Sequence, residues 1–309
     1  MNIIYTLLAF LIGFSTSIQS GINGQIRLAT GNPLVATAVN FTVGTLLLLI
    51  LLAYTCRKKI YRLPDHRRLR ITHWWMWIGG PLGVIYVMAT LLFPPVIGYG
   101  AFFSMMVAGQ MIFSAAIDHI GWFGSSITKI SKKRLLGILL LLAGAVLVQL
   151  TYKEVPVMLQ ILCAALSFVT GSIFTVQSAV NGRLRTVTAN PIFASLASFG
   201  TGVLTLLILI PVFHILRIYE IPSLERILQV EPWMLIGGFI GTALVVGSIL
   251  IPKRIGFASY FSMLVSGQLI GSVICDAIGL FGAEVHLPGP ARIAGVFCLL
   301  AGALMVQKR

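Results

Sequence analysis

From Trp74 to Ile117 the chain carries no charged side chain. The same is true from Met1 to Ile26, Leu28 to Cys56, Leu135 to Tyr152, Val155 to Gly182 and Thr186 to Leu216. Roughly 20 apolar residues make a helix that crosses a bilayer. Several such runs in one chain leave little room for a water-soluble fold. Charged residues make up 10% of the 309, against about 25% in a typical soluble domain. The expectation is an all-α polytopic membrane protein, multi-pass in the inner (plasma) membrane, with the lipid bilayer as its constant partner. The first run lacks the basic start and small-residue cleavage site of a signal peptide and has an internal counterpart, so it is expected as a retained helix.

That counterpart belongs to a repeat. Shifted by 158 residues, the chain aligns with itself without a gap. "FSMMVAGQMIFSAAIDHIG" (103–121) meets "FSMLVSGQLIGSVICDAIG" (261–279), "IQSGINGQIR" (18–27) meets "VQSAVNGRLR" (176–185), and "LLAGAVLVQ" (141–149) meets "LLAGALMVQ" (299–307). Self-similarity at one fixed offset marks a duplication. The first repeat is read as residues 1–152 and the second as 153–309, together one transport unit. Each predicts five helices: about 3–27, 33–55, 74–93, 97–119 and 134–151, then about 160–185, 191–213, 232–251, 255–276 and 292–307. Asn32-Pro33, Asn190-Pro191, Pro94-Pro95 and "LPGP" (287–290) punctuate them.

Five is odd, so the second repeat must enter the membrane inverted, giving ten transmembrane helices as two inverted five-helix repeats. The 22 Lys and Arg residues fit this. The loop "RKKIYRLPDHRRLR" (57–70) and "KISKKR" (129–134) belong on the cytoplasmic side by the positive-inside rule. Arg183, Arg185, Lys253, Arg254, Lys308 and Arg309 join them there. Arg27, Lys153, Arg217, Arg226 and Arg292 fall outside. Both termini are therefore expected in the cytoplasm. The net charge of +14 is accounted for by these loops, and no charged stripe or reading motif suggests nucleic acid as a partner.

Polar residues recur on the helices. Gln19, Asn23 and Arg27 lie four apart on one face, and Gln177, Asn181 and Arg185 repeat them. Gln110, Ser114 and Asp118 make a second stripe, matched by Gln268, Ser272 and Asp276. Such groups in hydrocarbon need partners or water. Gln, Asn and Ser also bond helix to helix, so each residue is open to packing as well as substrate contact. Equivalent positions of inverted repeats gather around one axis. Gln19, Asn23, Gln177 and Asn181 are thus expected to line one central site, with Gln110 and Gln268 beside it. Asn40 has Ser198 opposite and marks where the halves differ. Asp118 and Asp276, near helix ends, are read as capping carboxylates or as coupling and gating groups. "GGPLG" (79–83) and "GGFIG" (237–241) suit close packing along a moving seam.

The pieces "QSGINGQIR", "GNPLVATAVNFTVGTL" and "GQMIFSAAIDHIGWFG", with their second copies, resemble the drug/metabolite transporter superfamily in its YdcZ-like branch of bacterial inner-membrane exporters. The resemblance covers nearly the whole chain, except that typical members look like half of it. It implies ten helices and export of small molecules, and the inverted repeats, the architecture of many secondary transporters whose bundles rock against one another, add the expectation of secondary transport by alternating access. It names no substrate and no binding residue. A homodimer is compatible with it. The rival readings are a non-transporting scaffold, a channel and a lipid flippase. An enzyme is not expected: there is no Walker A motif and no nucleophile with its base. Cys56, Cys163, Cys275 and Cys298 are scattered, and His66, His73, His119, His214 and His286 sit in loops or at helix ends, so no metal or other cofactor is expected.

Overall fold

The computed structural model describes residues 2–124, 127, 129–149, 156–255, 257–282, 285, 287 and 289–307. Lys153, His286, Lys308 and Arg309 lie outside the described residues, as does the junction between 152 and 153. Among the described residues there are ten long helices: α1 (Asn2–Thr30), α2 (Pro33–Arg57), α3 (Gly79–Leu92), α4 (Tyr99–Ile120), α5 (Lys132–Gln149), α6 (Val157–Thr188), α7 (Pro191–Ile215), α8 (Ile236–Leu250), α9 (Phe257–Ala277) and α10 (Pro290–Gln307). Eight of the segments are long and apolar enough to cross a membrane. The other two, α5 and α10, have 18 residues each and close their respective repeats. Leu46, Leu49 and Ile50 on α2, and Leu204, Leu207 and Ile208 on α7, stand exposed. Water would penalise such a surface, whereas lipid tails match it. The protein is an all-α polytopic membrane protein.

The punctuation read from the sequence acts as caps. The Asn32 side chain accepts the N–H groups of Leu34 and Val35, and Asn190 accepts that of Phe193, each with proline at the first helical position. The two amide nitrogens then donate to a loop of the other repeat, Asn32 to the Glu220 carbonyl (2.9 Å) and Asn190 to the Arg62 carbonyl (3.0 Å). The third helix of each repeat starts later than expected. Trp74–Trp77 and Pro232–Leu235 wind as tighter 3₁₀ turns before α3 and α8 begin, a common way to open a helix.

The chain forms two compact units, and neither is a repeat. One takes Met1–Ile18, Leu92–Thr175 and Ile251–Arg309; the other takes Gln19–Leu91 and Val176–Leu250. The divisions fall inside α1 and α6, so each of these helices gives its first part to one unit and its last part to the other.

In the first unit, α5 and α10 pack through equivalent glycines. A methyl added to Gly144 would stand 2.7 Å from the Gly295 carbonyl, and one added to Gly302 would stand 2.7 Å from the Gly137 carbonyl. The first part of α1 lies on α9, with Gly13 against the backbone of Leu264, and the first part of α6 lies on α4, with Gly171 against the backbone of Met106. Small residues let membrane helices approach this closely. In the second unit, α2 crosses α7. Phe41 and its equivalent Phe199 touch, ring centroids 5.1 Å apart. A residue meets its own equivalent only near a local two-fold axis. There α8 lies on α2 and α3 lies on α7, with Gly238 against Val43 and Gly80 against Gly202. Each of these contacts, in both units, joins one repeat to the other.

Candidate substrate site

Gln19, Asn23, Gln177 and Asn181 all belong to the second unit and all are buried. They form two equivalent clusters. Asn40 on α2 donates its amide to Asn23 Oδ1 at 3.1 Å, and Asn181 donates its own amide to Ser198 Oγ on α7 at 3.3 Å. Each cluster rests on bare helix backbone. A methyl on Gly237 would stand 2.6 Å from Asn23 Oδ1, and one on Gly241 would stand 2.7 Å from Gln19 Nε2. On the other side Gly79 faces Asn181 Oδ1, and a methyl on Gly83 would stand 2.6 Å from Gln177 Nε2 and 3.1 Å from Phe41 Cζ. The glycines read as a packing seam thus cover the polar side chains. Two amide atoms, Asn23 Nδ2 and Asn181 Oδ1, have no hydrogen-bond partner among the described residues. A buried polar atom left unpaired costs about 1–3 kcal/mol, so these positions invite water or a ligand.

Gln110 and Gln268 belong to the first unit. Their backbone carbonyls accept hydroxyls from equivalent residues, Thr175 to Gln110 and Ser17 to Gln268, both at 3.1 Å. Their side chains are fully buried, and neither Nε2 nor Oε1 of either has a partner among the described residues.

The two aspartates lie in this unit as well. Asp118 pairs with Arg134 at 2.9 Å, and Asp276 pairs with Arg292. The pairs are equivalent in sequence but not in surroundings. Asp276 is sealed, and its oxygens also accept the N–H groups of Tyr99 (2.8 Å) and Gly100 (2.7 Å) at the start of α4. A carboxylate at a helix N-terminus satisfies orphan donors and complements the dipole. The Asp118 side chain is 37% exposed. Among the described residues, no group of three His, Cys, Asp or Glu is gathered that could hold a metal.

The family described as "Putative inner membrane exporter, YdcZ" matches residues 4–147 and again residues 162–305, two copies at the 158-residue offset. The chain belongs to the YdcZ family. Inner membrane protein YdcZ of Escherichia coli (strain K12) is 35% identical over 86 residues. Those residues are 28% of this chain and 56% of the Escherichia coli protein, so the chain spans about half the length of that relative. A protein of known crystal structure, 17% identical, superposes with a TM-score of 0.59 over 96% of this chain and 97% of its own. At that identity the likeness speaks to the fold alone. The YdcZ-family assignment, with the apolar helices, makes this a multi-pass inner-membrane protein.

In this YdcZ-family chain the expected six glutamines and asparagines divide four and two between the compact units. The residues to which the sequence reading gave no part in a site are Asn40 and Ser198, marked only as a point where the halves differ, and Arg134 and Arg292. The arginines were legible, since each follows its aspartate by the same interval in both repeats, yet they entered only the orientation count. The Asn40 bond was not, because nothing in a linear sequence tells which of two amides donates.

Proposed function

We propose that this protein is a secondary transporter that exports a small molecule across the inner membrane by alternating access, holding it at Gln19, Asn23, Gln177 and Asn181. The observation that carries the proposal is the set of four buried amides in one unit, two with an unpaired atom, resting against glycines that nothing but close contact requires. A scaffold gains nothing from polar groups held this way in hydrocarbon. Withdrawal of the glycine faces of α3 and α8 would uncover the amides, and their return would occlude a bound molecule. Gln110 and Gln268, buried in their own unit with unpaired amide atoms, are assigned to substrate contact as well. Asp118 and Asp276 are assigned to gating. A gate pair must make and break, and here one pair is sealed while the carboxylate of its equivalent is partly exposed, as the two ends of an alternating cycle require. With no nucleotide-binding motif in the chain, an ion or solute gradient drives any uphill transport. The orientation belongs to the proposal too: both termini cytoplasmic, α2–α3 loop inside.

The test is flux in proteoliposomes, using metabolites first selected by their ability to raise the melting temperature of the purified protein. Saturable uptake with counterflow is expected. Gln19→Ala and Asn181→Ala should each lower flux at least tenfold while the protein stays folded. Flux that rises linearly without saturation, or that survives in both variants unchanged, overturns the proposal.

A further inference from the structure

The two amide clusters look alike in sequence, but one substitution gives them opposite chemistry. Asn23 and Asn181 are equivalent, while their partners are Asn40 and Ser198. On one side Asn40 is the donor, so Asn23 spends its carbonyl and keeps a free N–H pair at Nδ2. On the other side Asn181 is the donor, so it spends an N–H on Ser198 and keeps a free carbonyl at Oδ1. Both asparagines are at least nine-tenths buried. The unpaired atoms are therefore one donor and one acceptor, not two of a kind.

Negative charge is absent from the same helices. No Asp or Glu occurs in 19–57, 79–91, 176–215 or 236–250. The acidic residues of this unit, Asp65, Glu220, Glu225 and Glu231, are exposed and lie outside the long helices. Arg185 at the end of α6 donates to the Ile249 carbonyl (3.0 Å). A bare cation taken into this site would find no counter-charge, and burying an unpaired ion is far more costly than burying a hydrogen-bonded neutral group. The touching rings of Phe41 and Phe199, with Gln177 Nε2 beside Phe41, supply an apolar surface next to the amides.

From this geometry we infer that the site takes an uncharged polar molecule presenting a hydrogen-bond acceptor to Asn23 and a donor to Asn181, of the carboxamide type, and that Asn40 is the residue that sets this preference. The inference rests on the proposed substrate site and names the class of molecule it admits. Asn40 acts by fixing which atom of Asn23 is left over. With Asn40→Ser, Asn23 would donate to the new hydroxyl as Asn181 does to Ser198, leaving two carbonyls and a site that favours donors. Asn40→Ser combined with Ser198→Asn exchanges the poles and restores one of each.

Three probes share a ring and differ only in the polar group: benzamide, benzylammonium and benzoate. Their stabilisation of the purified full-length protein, read as melting temperature against concentration, gives three apparent affinities. The wild type should prefer benzamide to both ions. Asn40→Ser should raise the benzylammonium-to-benzamide affinity ratio about tenfold, the scale of one buried hydrogen bond, and the double exchange should return it. Position 198 already carries serine in the equivalent setting, so Asn40→Ser should fold; if it does not, the double variant decides alone. Preference of the wild type for either ion, no stabilisation by benzamide, or a ratio that neither variant moves as stated overturns the inference. Flux measured in parallel separates the two claims. Binding that follows the predicted ranking without transport defeats the transporter reading and leaves the site's chemistry standing. Transport with an unmoved ratio does the reverse.

Discussion

Asp276 accepts two backbone N–H groups and pairs with a buried arginine, whereas Asp118, its equivalent, is more than a third exposed beside Arg134. Removing one member of a buried pair strands the other, at a cost of about 3–5 kcal/mol, and the partial exposure of the Asp118 carboxylate lessens that cost although Arg134 beside it is buried. Asp276→Asn should therefore lower the unfolding midpoint in detergent far more than Asp118→Asn; equal losses would show that the two pairs share one environment. The polar stripes that hold these residues were legible, since Gln, Asn and Asp four apart in an apolar run must share a face. Their partners were less so. The Tyr99 and Gly100 N–H groups that meet Asp276 lie far away in the chain, and a backbone donor leaves no mark in a residue type.

Helices were the most readable element, because charge-free runs, Asn-Pro caps and proline pairs are local signals. Which helix packs on which was not readable. The glycines show why: "GGPLG" and "GGFIG" look like general packing motifs, but the first and last glycine of each cover amides, while the middle ones, Gly80 and Gly238, meet the facing helix at Gly202 and Val43. Added methyls should separate these roles. At Gly171 the new carbon would run into the Met106 backbone, and at Gly13 into that of Leu264. Overpacking against atoms that cannot rotate away costs about 1–3 kcal/mol, so Gly171→Ala and Gly13→Ala should destabilise clearly. At Gly83 and Gly237 the neighbours are side-chain amides, and the expected outcome is lost flux with a smaller drop in stability. Gly24 and Gly182 have nothing within 4 Å. Alanine there should leave stability unchanged or raise it by up to about 1 kcal/mol. Melting curves on the set, with flux on Gly83→Ala and Gly237→Ala, decide the matter.

At the scale of the molecule, the duplication was plain in the sequence, and its odd helix number with the loop charges set an expected orientation. Single cysteines at the exposed positions Arg62 and Glu225, in a background without the four native ones, test it: an impermeant reagent applied to intact cells should label Glu225→Cys and spare Arg62→Cys, and the opposite pattern would refute the inverted arrangement. What the sequence withheld is that the compact units are not the repeats. Pairing between copies is long-range in the chain, while sequence similarity records only descent. That interleaving has a consequence for how the protein is made. When the ribosome has delivered the first repeat, α4 still lacks the part of α6 that lies against it, and the first part of α1 still lacks α9. Half a chain is then a set of membrane helices with unanswered glycine faces, dependent on the half not yet synthesised. Residues 1–152 and 153–309, expressed as two separate polypeptides, should each be degraded when alone and rescue one another when made together.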